Sequence, residues 1–324
     1  MLAVGVRNET MRLGSRAPLA AALALLAFPA PASHASFPGP NGPIALTQFA
    51  TDRGNQDSSY IQLISSRGRD LGRGAQCTVA APVACPYSPS FSPDGSRLAY
   101  HSIISSGPIP FAVSDHLVIS KVDGSGRVDL PVLTEGDTQP VWSPDGSRLV
   151  FTGLHSNAGK LDLYVVRADG TGLRRLTRRG GSSAAWSSRN RIAYVRDDSL
   201  RIVRPDGTSG RRVATGRNPD WSPSGRSLAY DLRGRTYTLA VRGSRAPRAR
   251  RRLVRRGFQR PVWSPDGRLL AVLRPGGDVP ADLFVIRSDG TRLRRIYRSR
   301  APDDTSFDSV LDAAWGRHLS VIPD

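Results

Sequence analysis

The residues of this chain suited to chemistry are three imidazoles and a few carboxylates. His101, His116 and His155 lie beside alternating apolar stretches, with Glu135 and Asp137 between them. Imidazole binds divalent metals and carries protons near neutrality. The set would suit a metal or carbohydrate site on one face. The plainer reading is three solvated loop side chains. Asp303, Asp304 and Asp308 form a second group, although a calcium ion takes six or more oxygens. With Glu135 and Asp137 they are also candidates for a ligand or partner face. No Gly-x-Ser-x-Gly elbow, His-Glu-x-x-His pair, Gly-rich phosphate loop or four-ligand zinc spacing occurs. The expectation is therefore no catalytic residue and no cofactor, with a divalent metal ion on the histidines as the alternative.

Cys77 and Cys85 are the only cysteines. Such a pair in an oxidising compartment reads as a disulfide, and no third or fourth metal ligand stands near it. The first residues point to that compartment. Arg7, Arg12 and Arg16 precede an apolar run from Ala17 to Phe28, then prolines, then Ser33-His34-Ala35. This is the layout of a secretory signal peptide over residues 1–35, with Met11 as an alternative start. The run is too short to span a bilayer. The chain is expected to be exported, to the periplasm or beyond, with no transmembrane segment.

The elements that must position these side chains come from one repeat. Phe91-Ser92-Pro93-Asp94-Gly95 opens a segment that ends at Tyr100; it returns at Trp142, Trp221 and Trp263, in degraded form at Trp186, and as a stub at Trp315. The aromatic positions are 51, 44, 35, 42 and 52 residues apart, near the spacing of propeller blades. Pro presets the turn, Asp suits its third position, and Gly supplies the left-handed residue. The following strand alternates, with Leu98 and Tyr100 on one side. A second hairpin follows each copy, turning at Asp123-Gly124, Asp169-Gly170, Asp206-Gly207 and Asp289-Gly290. Four antiparallel strands per repeat result. Ile44 to Leu46 lacks a first strand, and Trp315 is a first strand without a blade. Joined, they close a ring of six, which removes open sheet ends. Residues 36–324 are thus expected to form one all-β, six-bladed β-propeller.

The W-S-P-D-G-x-x-[IL]-A-[FY] repeat resembles the WD40-like repeat of TolB-type propellers of bacterial envelopes. Phe37-Pro38-Gly39 and Asn41-Gly42 resemble the start of free-standing exported members. The resemblance implies a propeller without the N-terminal α/β domain of TolB. Oligogalacturonate lyases resemble the same architecture and use His-rich metal sites, which keeps a metal-assisted polysaccharide lyase or hydrolase as the second expectation. The first is a non-catalytic module binding a protein or a cell-wall glycan.

The formal charge is +19; removing Arg7, Arg12, Arg16 and Glu9 takes it to +17. Only Lys121 and Lys160 are lysines, a skew that reads as GC-rich coding more than as phosphate recognition. Arginine pairs recur at the start of fourth strands (Arg174-Arg175, Arg211-Arg212, Arg251-Arg252, Arg294-Arg295). There cations would guard exposed sheet edges and keep the protein monomeric. Nucleic-acid binding is not expected, since basic and aromatic residues do not interleave along a groove. One stretch exceeds the pattern. Arg242 to Arg260, including Arg248, Arg250, Arg251 and Arg252, holds nine Arg and no acid, a candidate contact for wall polyanions or anionic lipid.

Overall fold

Serine, proline and aspartate build the same turn wherever the repeat occurs. In the third blade Gly146 N–H donates to Ser143 O at 2.9 Å, and Ser147 N–H to Asp145 Oδ1 at 3.0 Å. The Ser143 hydroxyl donates to Asp145 and receives Arg148 N–H at 2.9 Å. The pattern repeats at Ser92 and Asp94 and at Ser264 and Asp266. Partial burial raises the Asp145 carboxyl. Its bonds from Ser143 and Ser147, with the charge of Arg148, outweigh this and lower it to about 2.

These turns join strands in a computed structural model of the chain. It describes residues 34–35, 37–51, 57–77, 83–105, 113–134, 139–154, 160–241, 251–276, 279–298 and 308–317. Among the described residues the secondary structure is all β, in six sheets. Blade 1 joins the chain ends, β25 (Asp308–Arg317), β2 (Asn41–Thr51), β3 (Asp57–Ile64) and β4 (Asp70–Gln76). Blade 2 is β5 (Val83–Phe91), β6 (Arg97–Ser105), β7 (Val113–Lys121) and β8 (Val128–Thr134). Blade 3 is β9 (Val141–Trp142), β10 (Arg148–Leu154), β11 (Leu161–Arg167) and β12 (Arg174–Arg175). Blade 4 is β13 (Ser182–Trp186), β14 (Ile192–Arg196), β15 (Ser199–Val203) and β16 (Arg211–Thr215). Blade 5 is β17 (Arg217–Trp221), β18 (Ser227–Asp231), β19 (Arg235–Ala240) and β20 (Arg251–Arg256). Blade 6 is β21 (Gln259–Trp263), β22 (Leu269–Gly276), β23 (Val279–Arg287) and β24 (Arg294–Tyr297). The expected closure holds, with Ile44 opposite Trp315 in one antiparallel pair.

The core lies between blades. Trp142, Trp186 and Trp221 are fully buried, and the motif arginine of each preceding blade covers them. Arg97 lies 4.7 Å from the Trp142 ring centre, Arg148 5.8 Å from Trp186, and Arg191 4.7 Å from Trp221. Each such contact contributes about 0.5–2 kcal/mol. The first strand bulges two or three residues before the aromatic in blades 2, 4, 5 and 6. Ser88, Ser183, Asn218 and Arg260 there adopt φ of 50–52°. The bulge aims backbone donors at the neighbouring blade. Ser88 N–H donates to Thr47 Oγ1 at 3.1 Å, and Arg260 N–H to Asp231 Oδ1 at 3.0 Å.

On the outside, the turn between third and fourth strands of blades 1, 2, 3, 4 and 6 rests on the previous blade. A Cβ on Gly290 would stand 2.5 Å from Val254 O, and one on Gly68 2.5 Å from Ile296 O. Only glycine permits that approach. The paired arginines act here. Arg252 Nη2 donates to Asp289 O at 3.2 Å and Arg294 Nη2 to Ser66 O at 2.8 Å, and Arg174 donates to Pro205 O. Their partners Arg175 and Arg295 turn back to Asp162 and Asp282 of their own blades. The pairs expected only to guard edges thus also tie blade to blade.

Residues 1–33 of the expected signal peptide lie outside the described residues. His34–Ala35 form a short strand, β1, parallel to the innermost strand of blade 5, with His34 opposite Asp220 and Ala35 opposite Trp221. Phe37 is buried against blades 2 to 4. Neither contact follows from a sequence reading that assigns residues up to 35 to a leader.

Candidate functional site

Strand direction gives the ring two unlike faces. One carries the repeated turns just described. On the other, second strands lead to third strands and fourth strands to the next blade. In blades 4 and 5 the former connections are tight, at Asp197-Asp198 and Leu232–Gly234. In the other blades they run through residues 52–56, 106–112, 155–160 and 277–278. The strands that carry His101 and His116 run to and from this second face.

His101 and His116 sit within strands rather than loops, because β6 continues to Ser105 and β7 begins at Val113. His101 is 7% exposed, opposite Leu117, its ring 6.4 Å from that of Tyr87. His116 is half-buried and opposite Ser102. Directly opposed residues share a sheet face and adjacent ones do not. His101 therefore faces blade 3, with Ala99 and Leu117, whereas His116 faces blade 1, with Tyr100 and Val118. The two imidazoles are on opposite sides of one sheet and are not brought together. His155, Glu135, Asp137, Asp303 and Asp304 lie outside the described residues. Asp308 opens β25 opposite Ala50. Among the described residues no group of three His, Cys, Asp or Glu is placed to hold a metal.

Cys77 and Cys85 are joined at the rim of this face. Cys77 directly follows the outermost strand of blade 1 and Cys85 lies in the innermost strand of blade 2. The bridge pins the chain where it crosses between blades. Nearby, Ser59 N–H donates to Cys77 Sγ at 2.9 Å and Ser59 Oγ to Pro86 O at 2.9 Å.

Two buried carboxylates organise the same face, and the sequence reading passed over both. Asp162, with its side chain 1% exposed, pairs with Arg175 at 2.5 Å. It also accepts from Thr177 Oγ1 at 2.7 Å and Gly180 N–H at 3.0 Å. This fixes the crossing from blade 3 to blade 4. Asp231, 6% exposed, accepts from Asn218 Nδ2 at 2.6 Å and from Arg260 N–H. Burial pushes its carboxyl up, against those hydrogen bonds and the charges of Arg260 and Arg217. A recurring X-Pro two residues before the motif aromatic (Ser88-Pro89, Asn218-Pro219, Arg260-Pro261) was the available signal for these bulged donors. Of the basic candidates, Arg251 and Arg252 are exposed on β20. Arg251 lies 4.9 Å from the centre of the Tyr237 ring. Arg248 and Arg250 lie outside the described residues.

No family model matches the chain. It is 32% identical over 100 residues to a TolB homolog of Chlorobium luteolum, and 37% over 95 residues to one of Chlorobaculum tepidum. These matches take in 28% and 29% of this chain but only 22% and 19% of those proteins. The crystal structure of TolB from Acinetobacter baumannii superposes with a TM-score of 0.61 at 15% identity, over 86% of this chain and 67% of that one. A putative TolB from Agrobacterium tumefaciens gives 0.55 at 16%, over 86% of this chain and all of that one. At such identity the superpositions speak for the fold. Repeat, blade count and closure agree with these likenesses: the chain forms a TolB-type, WD40-like six-bladed β-propeller.

Proposed function

We propose that this chain is an exported, non-catalytic binding module of the cell envelope or exterior, holding a protein or a cell-wall glycan on its loop-bearing face. The supporting observation is the inequality of the two faces. One is built from short, uniform turns whose Ser and Asp side chains bond within the turn itself. The other carries the connections that differ in length from blade to blade, on a rigid frame fixed by the disulfide, Asp162 and Asp231. Variable loops on a rigid scaffold are the usual carriers of recognition. Export is supported by the charged-then-apolar start and by the Cys77–Cys85 bridge. The exposed Arg251 and Arg252, with Arg248 and Arg250, form a second proposed contact, for wall polyanions.

The test is a glycan-array and envelope-protein binding screen of the purified exported chain, alongside elemental metal analysis. A variant with residues 106–112 replaced by the short Asp-Asp turn of blade 4 serves as the comparison. Binding by the parent that the variant loses, with an unchanged β circular dichroism spectrum, supports the reading. Stoichiometric metal with turnover of an acidic polysaccharide would replace it by the lyase or hydrolase alternative through His101, His116 or His155.

A further inference from the structure

On the face of repeated turns, the junction of blades 4 and 5 departs from the pattern of blades 2 and 3. In blades 2 and 3 the motif arginine has a carboxylate three residues before it. Asp94 feels the charge of Arg97, and Asp145 that of Arg148. Blade 4 keeps the arginine, Arg191, over Trp221 of blade 5. At the position of Asp94 and Asp145, counted from the aromatic, it carries Arg189. The corresponding position of blade 5 is Ser224.

The outer turns repeat the exchange. Blades 2, 3, 4 and 6 turn at Asp123, Asp169, Asp206 and Asp289, each exposed and each held below the ordinary carboxylate range by its hydrogen bonds to Ser125, Thr171, Thr208 or Thr291. Blade 1 turns at Ser66-Arg67-Gly68, and blade 5 has no Asp-Gly there. Its third and fourth strands are joined through a stretch with Arg242, Arg245, Arg248 and Arg250. The motif turns of blades 4 and 5 that meet here thus both lack the aspartate of blades 2, 3 and 6, while Arg191 and Arg211 are kept.

The cations that remain are close. Arg189 Nε donates to Ser224 O at 2.9 Å and Arg191 Nη2 to Gly225 O at 2.5 Å, both in the blade 5 turn. Arg211 occupies the place from which Arg174, Arg252 and Arg294 reach the next blade. It lies opposite Ile202, on the blade 4 side that packs against Trp221. Arg191 is half-buried; burial and then the charges of Arg189 and Arg211 hold its guanidinium below the usual range. Like charges gathered in a partly dry wedge repel unless an anion joins them.

We propose that the wedge between blades 4 and 5, on the face opposite the loops, binds a phosphate-type oxyanion through Arg189, Arg191 and Arg211. Guanidinium groups present forked donors that match tetrahedral oxyanions. The source is a phosphate ester, free or in a lipid headgroup or wall polymer.

The decisive variant is Arg189→Asp, which restores the residue type of the sister blades and so leaves the turn foldable. The melting temperature of the whole exported chain is followed against inorganic phosphate, with chloride at matched ionic strength as reference. The parent should be stabilised by phosphate beyond chloride. Arg189→Asp should melt higher than the parent in chloride and bind phosphate about tenfold more weakly or worse. Arg233→Asp, on the loop face, should bind like the parent. Sedimentation with phosphatidylglycerol against phosphatidylcholine vesicles separates a headgroup from a soluble ester: lipid-only retention that Arg189→Asp abolishes assigns the site to membrane phosphate. The proposal is overturned if the parent shows neither phosphate-specific stabilisation nor retention, or if Arg189→Asp keeps whichever the parent shows.

Discussion

Replacing Asp162 by alanine should be among the most damaging single changes in this propeller. The carboxylate is almost wholly buried and serves three donors from the strand and crossing that follow it, Arg175, Thr177 and Gly180. Thr177 Oγ1 in turn receives Leu163 N–H at 3.0 Å, so the change also loosens the start of β11. Removing one member of a buried ion pair costs about 3–5 kcal/mol, because the other is left without its partner. Arg175 retains some solvent, its side chain 23% exposed, which places the expectation near the lower end, about 3 kcal/mol. At roughly 2 °C per kcal/mol for a domain of this size, the melting temperature should fall by about 6 °C. Asp162→Asn keeps an oxygen for Thr177 and Gly180 but turns an amide toward Arg175. Its loss should therefore be recovered in part when Arg175→Met is added. The assay is denaturant or thermal unfolding of the four proteins of this double-mutant cycle. Asp129→Ala in the exposed Arg127–Asp129 pair, with exposures of 26% and 44%, is the comparison and should cost under about 1 kcal/mol. If Asp162→Ala costs no more than that comparison, or Asp162 and Arg175 show no coupling, the latch is not what holds the crossing.

The remaining expectations concern the bridge, the arginine ties and pH. Alkylation with and without reductant should show a mass change only after reduction of Cys77 and Cys85, and losing a loop this short should cost about 2–3 kcal/mol without preventing folding. Arg174→Gln and Arg294→Gln should each lower stability by about 1 kcal/mol through the lost inter-blade bond; if sedimentation shows association with unchanged stability, edge protection is their main role. Asp94 and Asp145 are lower in the folded chain than when unfolded. Their contribution is complete above the ordinary value of 3.8 and disappears as pH falls through the folded values, about 2 for Asp145. Asp231 runs the other way: its raised carboxyl destabilises at neutral pH, and the strain is relieved as pH drops through its folded value toward 3.8. Asp231→Asn should therefore flatten the mildly acidic part of the stability profile while leaving the steep loss below pH 4.

The sequence by itself determined the ring. Turn chemistry is local: Ser, Pro, Asp and Gly in a row specify one hairpin whatever surrounds them, so six copies of an aromatic before such a turn, or its remnant, count six blades. The complementary fragments at Ile44 and Trp315 named the closing pair, and two isolated cysteines named the bridge. What lies between blades was left to the tertiary structure, since it joins residues that no period relates. The alternation around Tyr100 was legible, but His101-Ser102-Ile103-Ile104-Ser105 does not alternate apolar with polar. Only strand register shows β6 continuing through it and sending His101 and His116 to opposite neighbours. Asp162 and Asp231 looked like ordinary strand-end acids; burial between blades made them latches. The arginine pairs were visible as a repeat, yet a carbonyl in the next blade, set by the rotation from blade to blade, decides what Arg174, Arg252 and Arg294 do. The junction of blades 4 and 5 combines both kinds of information. The missing aspartates can be read from the aligned repeats, whereas the gathering of Arg189, Arg191 and Arg211 in one wedge exists only because closure of the ring packs the two sheets together.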